Sequence, residues 1–399
     1  MNAGRFPDEL LFTSTGTPVP TPASVIPPFV TILSMVEGLS SAQTIPSSWY
    51  TDPQFLVTEK ERIFWHTWQP VGHAAKVLSP GSYLAAEITG EPCAVVRAND
   101  GVLRAFSNVC RHRASTILEG DGCAKSLRCP YHGWTYSLEG ALLVAPEFEG
   151  VENWNRSDVR LPPMRVEQWG PFVFVNVDSQ AAPLSEVLGD IPDQVAAIGC
   201  PVDQLHFSYR RDYLIHCNWK VYIDNYLEGY HLPSAHPSLF RELDYNAYRV
   251  DTFPYYSSQH APIRPSRPGR NETRRYSLGD EANRALYFWI FPNFMLNVYP
   301  DNLSSNIIVP VGHDQTLTIF EWFTYPKSKQ VAEISPETIA FSDEIQQEDI
   351  RLCENVQKGL ASRTYDRGRY SVKRENGVHH FHCLLEKFLT GTQGWAAKE

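Results

Sequence analysis

The sequence has no apolar run approaching the ~20 residues that a bilayer-spanning helix needs. Its most apolar early stretch, residues 28–36, covers about half that length, so no membrane span is expected. The basic, apolar and small-residue succession of a secretory signal is missing too. The first ten residues set Asp8 and Glu9 beside a single Arg5, against the Arg-rich, acid-poor pattern of a transit peptide. Eight cysteines fall at irregular spacing in 399 residues, which is no disulfide framework and fits reduced thiols in a cytoplasmic protein. Dense Lys/Arg blocks are also lacking. With 35 basic against 45 acidic residues and a formal charge of −10, nucleic acid is excluded as a partner. No Gly-x-Gly-x-x-Gly follows a strand pattern and opens a helix, so nicotinamide and flavin are expected on a separate protein.

What is present is apolar material: 43% hydrophobic and 12% aromatic residues, enough for a large core and more than one domain. Residues 1–44 read as a loosely ordered leader rich in Pro, Thr and Ser, with one short helix near Ile32. Asp52 then offers an N-cap to a short helix. Between 68 and 177, β-rich runs alternate with Gly, Asn-Asp-Gly and Pro turns, the pattern of a compact all-β module. Beyond it, residues 184–198 and 219–230 suit helices, 205–215, 286–299 and 316–325 suit strands, and 337–357 carry a long amphipathic helical pattern. The expected fold class is α+β, divided as a leader over 1–44, an all-β domain with its N-terminal helix over 45–180, and a larger domain over 181–399.

Two clusters carry the chemistry. The first is Cys110-Arg111-His112, a gap of sixteen residues, then Cys129-Pro130-Tyr131-His132-Gly133-Trp134. Each knuckle supplies one thiolate and one imidazole, whereas a zinc finger pairs Cys with Cys and His with His. A Rieske [2Fe–2S] centre and a tetrahedral zinc site both use this donor set. The second cluster runs from Asn218 to His236. Helical spacing places Asp224, Glu228 and His231 on one face, and Pro233 is expected to end that helix and turn His236 back toward it. Two His and a carboxylate around a ferrous ion leave positions for O₂ and substrate. The third ligand must come from elsewhere, and Glu348 and Asp349 on the late helix are the candidates.

The Cys-Pro-Tyr-His-Gly-Trp knuckle resembles the Rieske domain of ring-hydroxylating oxygenases, and the likeness runs from about residue 45 to 389. It implies an all-β Rieske domain followed by a helix-grip (START/Bet v 1-like) catalytic domain with an antiparallel sheet. It also implies Cys110 and Cys129 on one iron, His112 and His132 on the other, and a mononuclear Fe(II) held by His231, His236 and Asp349. Glu228 is implied to couple His231 to a Rieske His of a neighbouring subunit in a homotrimer. Asp224 and Asn225 join Glu228 as candidate catalytic residues. The implied partners are O₂, a small-molecule substrate and a ferredoxin and/or flavin reductase fed by NAD(P)H.

Within that family the chain resembles the choline monooxygenase branch through Asp224-Asn225-Tyr226-Leu227, Gln346-Gln347-Glu348-Asp349 with Leu352-Cys353-Glu354, and the late His379-His380-Phe381-His382-Cys383. The compact Glu228-Gly229-Tyr230-His231 instead matches carnitine- and betaine-type oxygenases. A quaternary ammonium substrate, with choline foremost, is the expectation, and an aromatic ring substrate or a pure electron carrier are the alternatives. Aromatics for a cationic substrate are sought in residues 287–291, and the late histidines are read as structural or pocket-lining.

Overall fold

The computed structural model describes residues 38–264, 284–299, 302–325 and 333–391; the leader up to 37, with the helix expected near Ile32, lies outside them. The β-rich runs pair as expected. Gln69–His73, Phe172–Asn176, Pro163–Trp169, Leu103–Ser107, Glu91–Arg97, Ser82–Ile88 and Asp121–Cys123 follow one another across a seven-stranded sheet in which every pairing is antiparallel. A three-stranded sheet, Leu127–Arg128, Thr135–Tyr136 and Leu142–Val144, carries the second Cys/His knuckle between its first two strands.

A second seven-stranded antiparallel sheet runs in the order His206–Ile215, Gln315–Thr324, Leu303–Gly312, Phe294–Val298, Arg284–Ile290, Tyr256–Pro262, Arg249–Thr252. The single strand expected over 286–299 is in fact a hairpin, broken at Phe291 to Asn293. The long helix Pro336–Leu360 starts where Ser335 accepts the Thr338 N–H and Pro336 fills the first helical position. It packs on the sheet through Tyr213 to Asp343 (3.0 Å) and Gln346 to Thr318 (3.3 Å). The helix expected over 184–198 is broken at Gly189 into Leu184–Leu188 and Ile191–Ala197. Phe172 and Phe174 of the first large sheet pack edge-on against Phe294 of the second, so one apolar core is shared by both sheets.

Asp52 caps the helix Pro53–Arg62 by accepting from Gln54 N. That helix was grouped with the β module by sequence, yet its buried acid reaches the other half of the protein. Glu59 accepts from Lys220 Nζ at 2.5 Å and from Trp219 Nε1 at 2.7 Å, with Glu59 and Lys220 both at 0% exposure. A charge buried this deeply stays only where its partner is, so the pair fixes the helix on the segment starting at Trp219. No helix among the described residues is long and apolar enough to cross a membrane.

Candidate metal centres and the cavity between sheet and helix

The first knuckle, Cys110 to His112, follows the strand Leu103–Ser107; the second is a tight turn closed by Cys129 N–H to the Trp134 carbonyl at 2.8 Å. Gly133 sits in that turn at φ +72°, a conformation that a β-carbon disfavours. Both thiols are buried, at 3% and 2% exposure, and burial pushes the Cys110 thiol up, with the neighbouring Cys129 adding to it. Tyr136 tethers the base of the site: its hydroxyl lies 3.3 Å from Cys110 Sγ and accepts from Arg111 N–H at 3.0 Å. Above the thiols, His112 Nδ1 and His132 Nδ1 face each other at 3.1 Å. His112 stacks on Trp134 with ring centroids 5.0 Å apart and 8° between planes. Two converging ring nitrogens at the rim and two thiols beneath them suit a two-iron cluster that takes sulfur on one side and nitrogen on the other.

The second cluster is assembled differently from the helical reading. The helix Trp219–Tyr226 stops four residues before the expected 230. Glu228 ends it, because its carboxylate captures the backbone N–H groups of Tyr230 and His231, a local bond that competes with helix continuation. Gly229 lies flat on the Tyr248 ring, where an added Cβ would stand 2.8 Å from it. Pro233 then opens a new short helix, Leu232–Ala235, instead of closing the old one. Asp224, expected on the same face as Glu228 and His231, is turned elsewhere: it accepts from Tyr50 Oη at 2.6 Å and pairs with His382 Nε2 at 2.9 Å. His382 is held from its other nitrogen by Tyr370 at 2.7 Å. His382 is therefore structural, and His380 packs on Trp289; neither is among the cavity residues.

His231, His236 and Asp349 come together so that one atom of each lies within 4.8 Å of the others, an arrangement able to hold a metal ion. Each ring is oriented by an acid on its far nitrogen. Glu228 Oε1 meets His231 Nδ1 at 2.5 Å, and Glu348 Oε2 meets His236 Nδ1 at 2.6 Å. The Nε2 atoms consequently face Asp349, at 3.8 Å and 2.9 Å. Burial pulls the His236 imidazole down, but Asp349 and Glu348 outweigh it and hold it above its ordinary value. Asn225 Nδ2 donates to Asp349 Oδ1 at 2.7 Å, which aims the acid. Of the two acids left open by sequence, Asp349 faces both rings and Glu348 serves as the carboxylate behind one of them, a role the sequence reading did not foresee. Changing Glu348 to Gln keeps the shape but weakens that hold, and metal affinity is expected to fall by about 10–100-fold, measured by iron content after graded dialysis against a chelator.

A cavity of about 140 Å³ opens from this group. On one side Thr338, Phe341, Ser342, Ile345, Gln346 and Asp349 line it, a stripe at three- and four-residue spacing along a single helix face. On the other side strand register brings Gln259, Tyr287, Asn297, Ser304 and Trp322 into one lateral row across five strands, and all five line the cavity. Of the aromatic run 287–291, Tyr287 alone is there; the remaining rings come from Tyr222, Tyr226, Tyr248, Tyr299, Phe320, Phe341 and Trp322.

Residues 67–155 match the model of the Rieske [2Fe-2S] domain, and residues 202–391 that of the ring hydroxylating alpha subunit catalytic domain. The chloroplastic choline monooxygenase of Arabidopsis thaliana is 39% identical over 88% of this chain and 84% of its own length. The chain belongs to the ring-hydroxylating oxygenase α-subunit family. The carnitine monooxygenase oxygenase subunit of Escherichia coli K12 is 33% identical over 91% of this chain and 98% of its own. The crystal structure of the quaternary ammonium Rieske monooxygenase CntA with L-carnitine superposes at a TM-score of 0.75, with 29% identity over 88% of this chain and 97% of that one. The protein is thus an α+β Rieske non-haem iron oxygenase, with a Rieske domain followed by a catalytic domain, and its cofactors are a [2Fe–2S] cluster and a mononuclear iron.

Proposed function

We propose that this oxygenase hydroxylates a small quaternary ammonium compound, choline or a close relative. The carrying observation is the cavity itself: eight aromatic residues line it and no Lys or Arg does among the described residues. Trimethylammonium groups bind over aromatic faces, and a lining without Lys or Arg sets no like charge against a cation. The relatives named for choline and carnitine support the same reading.

The proposed ligand sets are Cys110, Cys129, His112 and His132 for the cluster, and His231, His236 and Asp349 for the iron. The cluster supplies single electrons and the ferrous centre supplies a place for O₂ to bind and be activated. The balance is one substrate C–H, O₂, two electrons and two protons in, and one C–OH and water out. Choline would yield the aldehyde hydrate, whereas attack on an N-methyl group would yield a hemiaminal that releases formaldehyde. Glu228 holds His231 at Nδ1 and has no hydrogen bond to His112 or His132 of its own chain among the described residues. We therefore assign the cluster that feeds this iron to a neighbouring subunit of a homotrimer, with electrons arriving from a separate NAD(P)H-dependent reductase, with or without a ferredoxin, in the cytoplasm. The proposed domain limits are 45–180 and 181–399, with the helix Pro53–Arg62 seated on the second.

Oxygen uptake with a surrogate reductase and choline, carnitine, glycine betaine or aromatic acids tests the substrate class; turnover of the aromatic acids alone would overturn it. Glu228→Gln is expected to leave the [2Fe–2S] absorbance and electron paramagnetic resonance signals intact while slowing turnover by about 10–100-fold in samples matched for iron content. Unimpaired turnover would remove its coupling role.

A further inference from the structure

We propose that Asn297, Ser304 and Asn306 form a neutral hydrogen-bonding subsite that selects a substrate bearing a hydroxyl and rejects one bearing a carboxylate. This rests on the quaternary ammonium reading of the same cavity. Asn297 stands opposite Ser304, and Asn306 lies two residues further along the same strand. All three line the cavity, at 7%, 5% and 3% exposure, so whatever meets them is largely stripped of water. Their hydrogen bonds are directional. Tyr226 Oη donates to Asn297 Oδ1 at 3.0 Å, while Asn297 Nδ2 donates to Ser304 Oγ at 3.1 Å and to Asn306 Oδ1 at 2.8 Å. Asn297 thereby spends both Nδ2 protons, and Tyr226 holds its oxygen. Ser304 keeps its hydroxyl proton and Asn306 its amide protons for a ligand.

These donors are uncharged, and that decides the selection. A hydroxyl oxygen accepts from them at little desolvation cost and leaves no charge behind. A carboxylate would have to shed its water with no Lys or Arg among the described lining residues to receive it, a penalty that neutral donors do not offset. Specificity of this kind combines a matched group with a repelled one. A donor pair buried for a hydroxyl also discriminates against an analogue that lacks it, since the donors are then left unmet.

The test compares choline, its hydroxyl-free analogue ethyltrimethylammonium and its carboxylated analogue trimethylglycine on the holoenzyme. Binding is read by anaerobic calorimetry, and kcat/KM by oxygen uptake with a surrogate reductase. Wild type is expected to prefer choline over ethyltrimethylammonium by at least about tenfold, and over trimethylglycine by more. In Asn306→Ala, and in Ser304→Cys, which preserves volume should the first fail to fold, the choline to ethyltrimethylammonium ratio is expected to collapse to about one- to threefold. A loss of fold would lower both members of that ratio together. A ratio unchanged by either variant, or a wild-type preference for trimethylglycine, overturns the subsite and leaves the quaternary ammonium reading standing. Binding of none of the three overturns both.

Discussion

Replacing Asp349 with alanine is expected to abolish turnover while the [2Fe–2S] absorbance stays as in wild type. The reason is geometric. Among the described residues Asp349 is the one acid whose carboxylate faces the Nε2 atoms of both His231 and His236, and Glu348 cannot stand in because it is committed to the far nitrogen of His236. With two imidazoles left as ligands, a hard divalent ion loses its carboxylate donor. Metal analysis is expected to fall from about three irons per chain to about two, with the residual iron wholly in the cluster. Retention of all three irons with full activity would return the third ligand to Glu348. The companion variant Asn225→Ala, which removes only the hydrogen bond that aims Asp349, should lie between wild type and Asp349→Ala in iron affinity.

Lys220→Met is expected to destabilise the molecule by about 3–5 kcal/mol, because it strands the fully buried Glu59 carboxylate without its partner. Burial pushes the Glu59 carboxyl up and the Lys220 ammonium down, and each group is the other's compensation. Trp219 adds a second donor to Glu59, while the Lys220 ammonium also lies over the rings of Tyr50 and Trp219 at 5.6 and 5.4 Å. The double variant Glu59→Gln/Lys220→Met removes both charges and keeps an acceptor for Trp219, so it should recover most of the loss. Urea denaturation followed by far-ultraviolet circular dichroism measures the cycle. Equal and additive losses in the two single variants and the double would show that the pair is not coupled.

The parts of this protein that could be read from its sequence are those whose meaning is local. The two Cys/His knuckles are a few residues long, and their spacing alone separates them from a zinc finger. His231 and His236 announced themselves for the same reason, and Asp52 capped the helix where its side chain predicts. What escaped was non-local or was a contest between local forces. The helix over 219–230 looked continuous because periodicity does not show that Glu228 will bind the next turn's backbone N–H groups; Asp224 was misplaced as a consequence. Glu348 was weighed as a ligand because position along a chain does not say which nitrogen of a distant imidazole an acid will meet. The aromatic wall was sought in one strand, 287–291, but a face recruits one residue from each of many strands, and only pairing register tells which. The helical stripe from Thr338 to Asp349 was present as a period and could have been found.

That register carries a consequence for how such an enzyme changes its diet. Gln259, Tyr287, Asn297, Ser304 and Trp322 are held abreast by main-chain ladders, so any of them can be exchanged without moving its neighbours, like type in a composing stick. A slip of one position in a single strand would do the reverse, turning its letter to the back of the sheet and a core residue to the front. New substrates are therefore reached by rewriting side chains within a fixed line, and insertions within these strands are the changes the fold tolerates least.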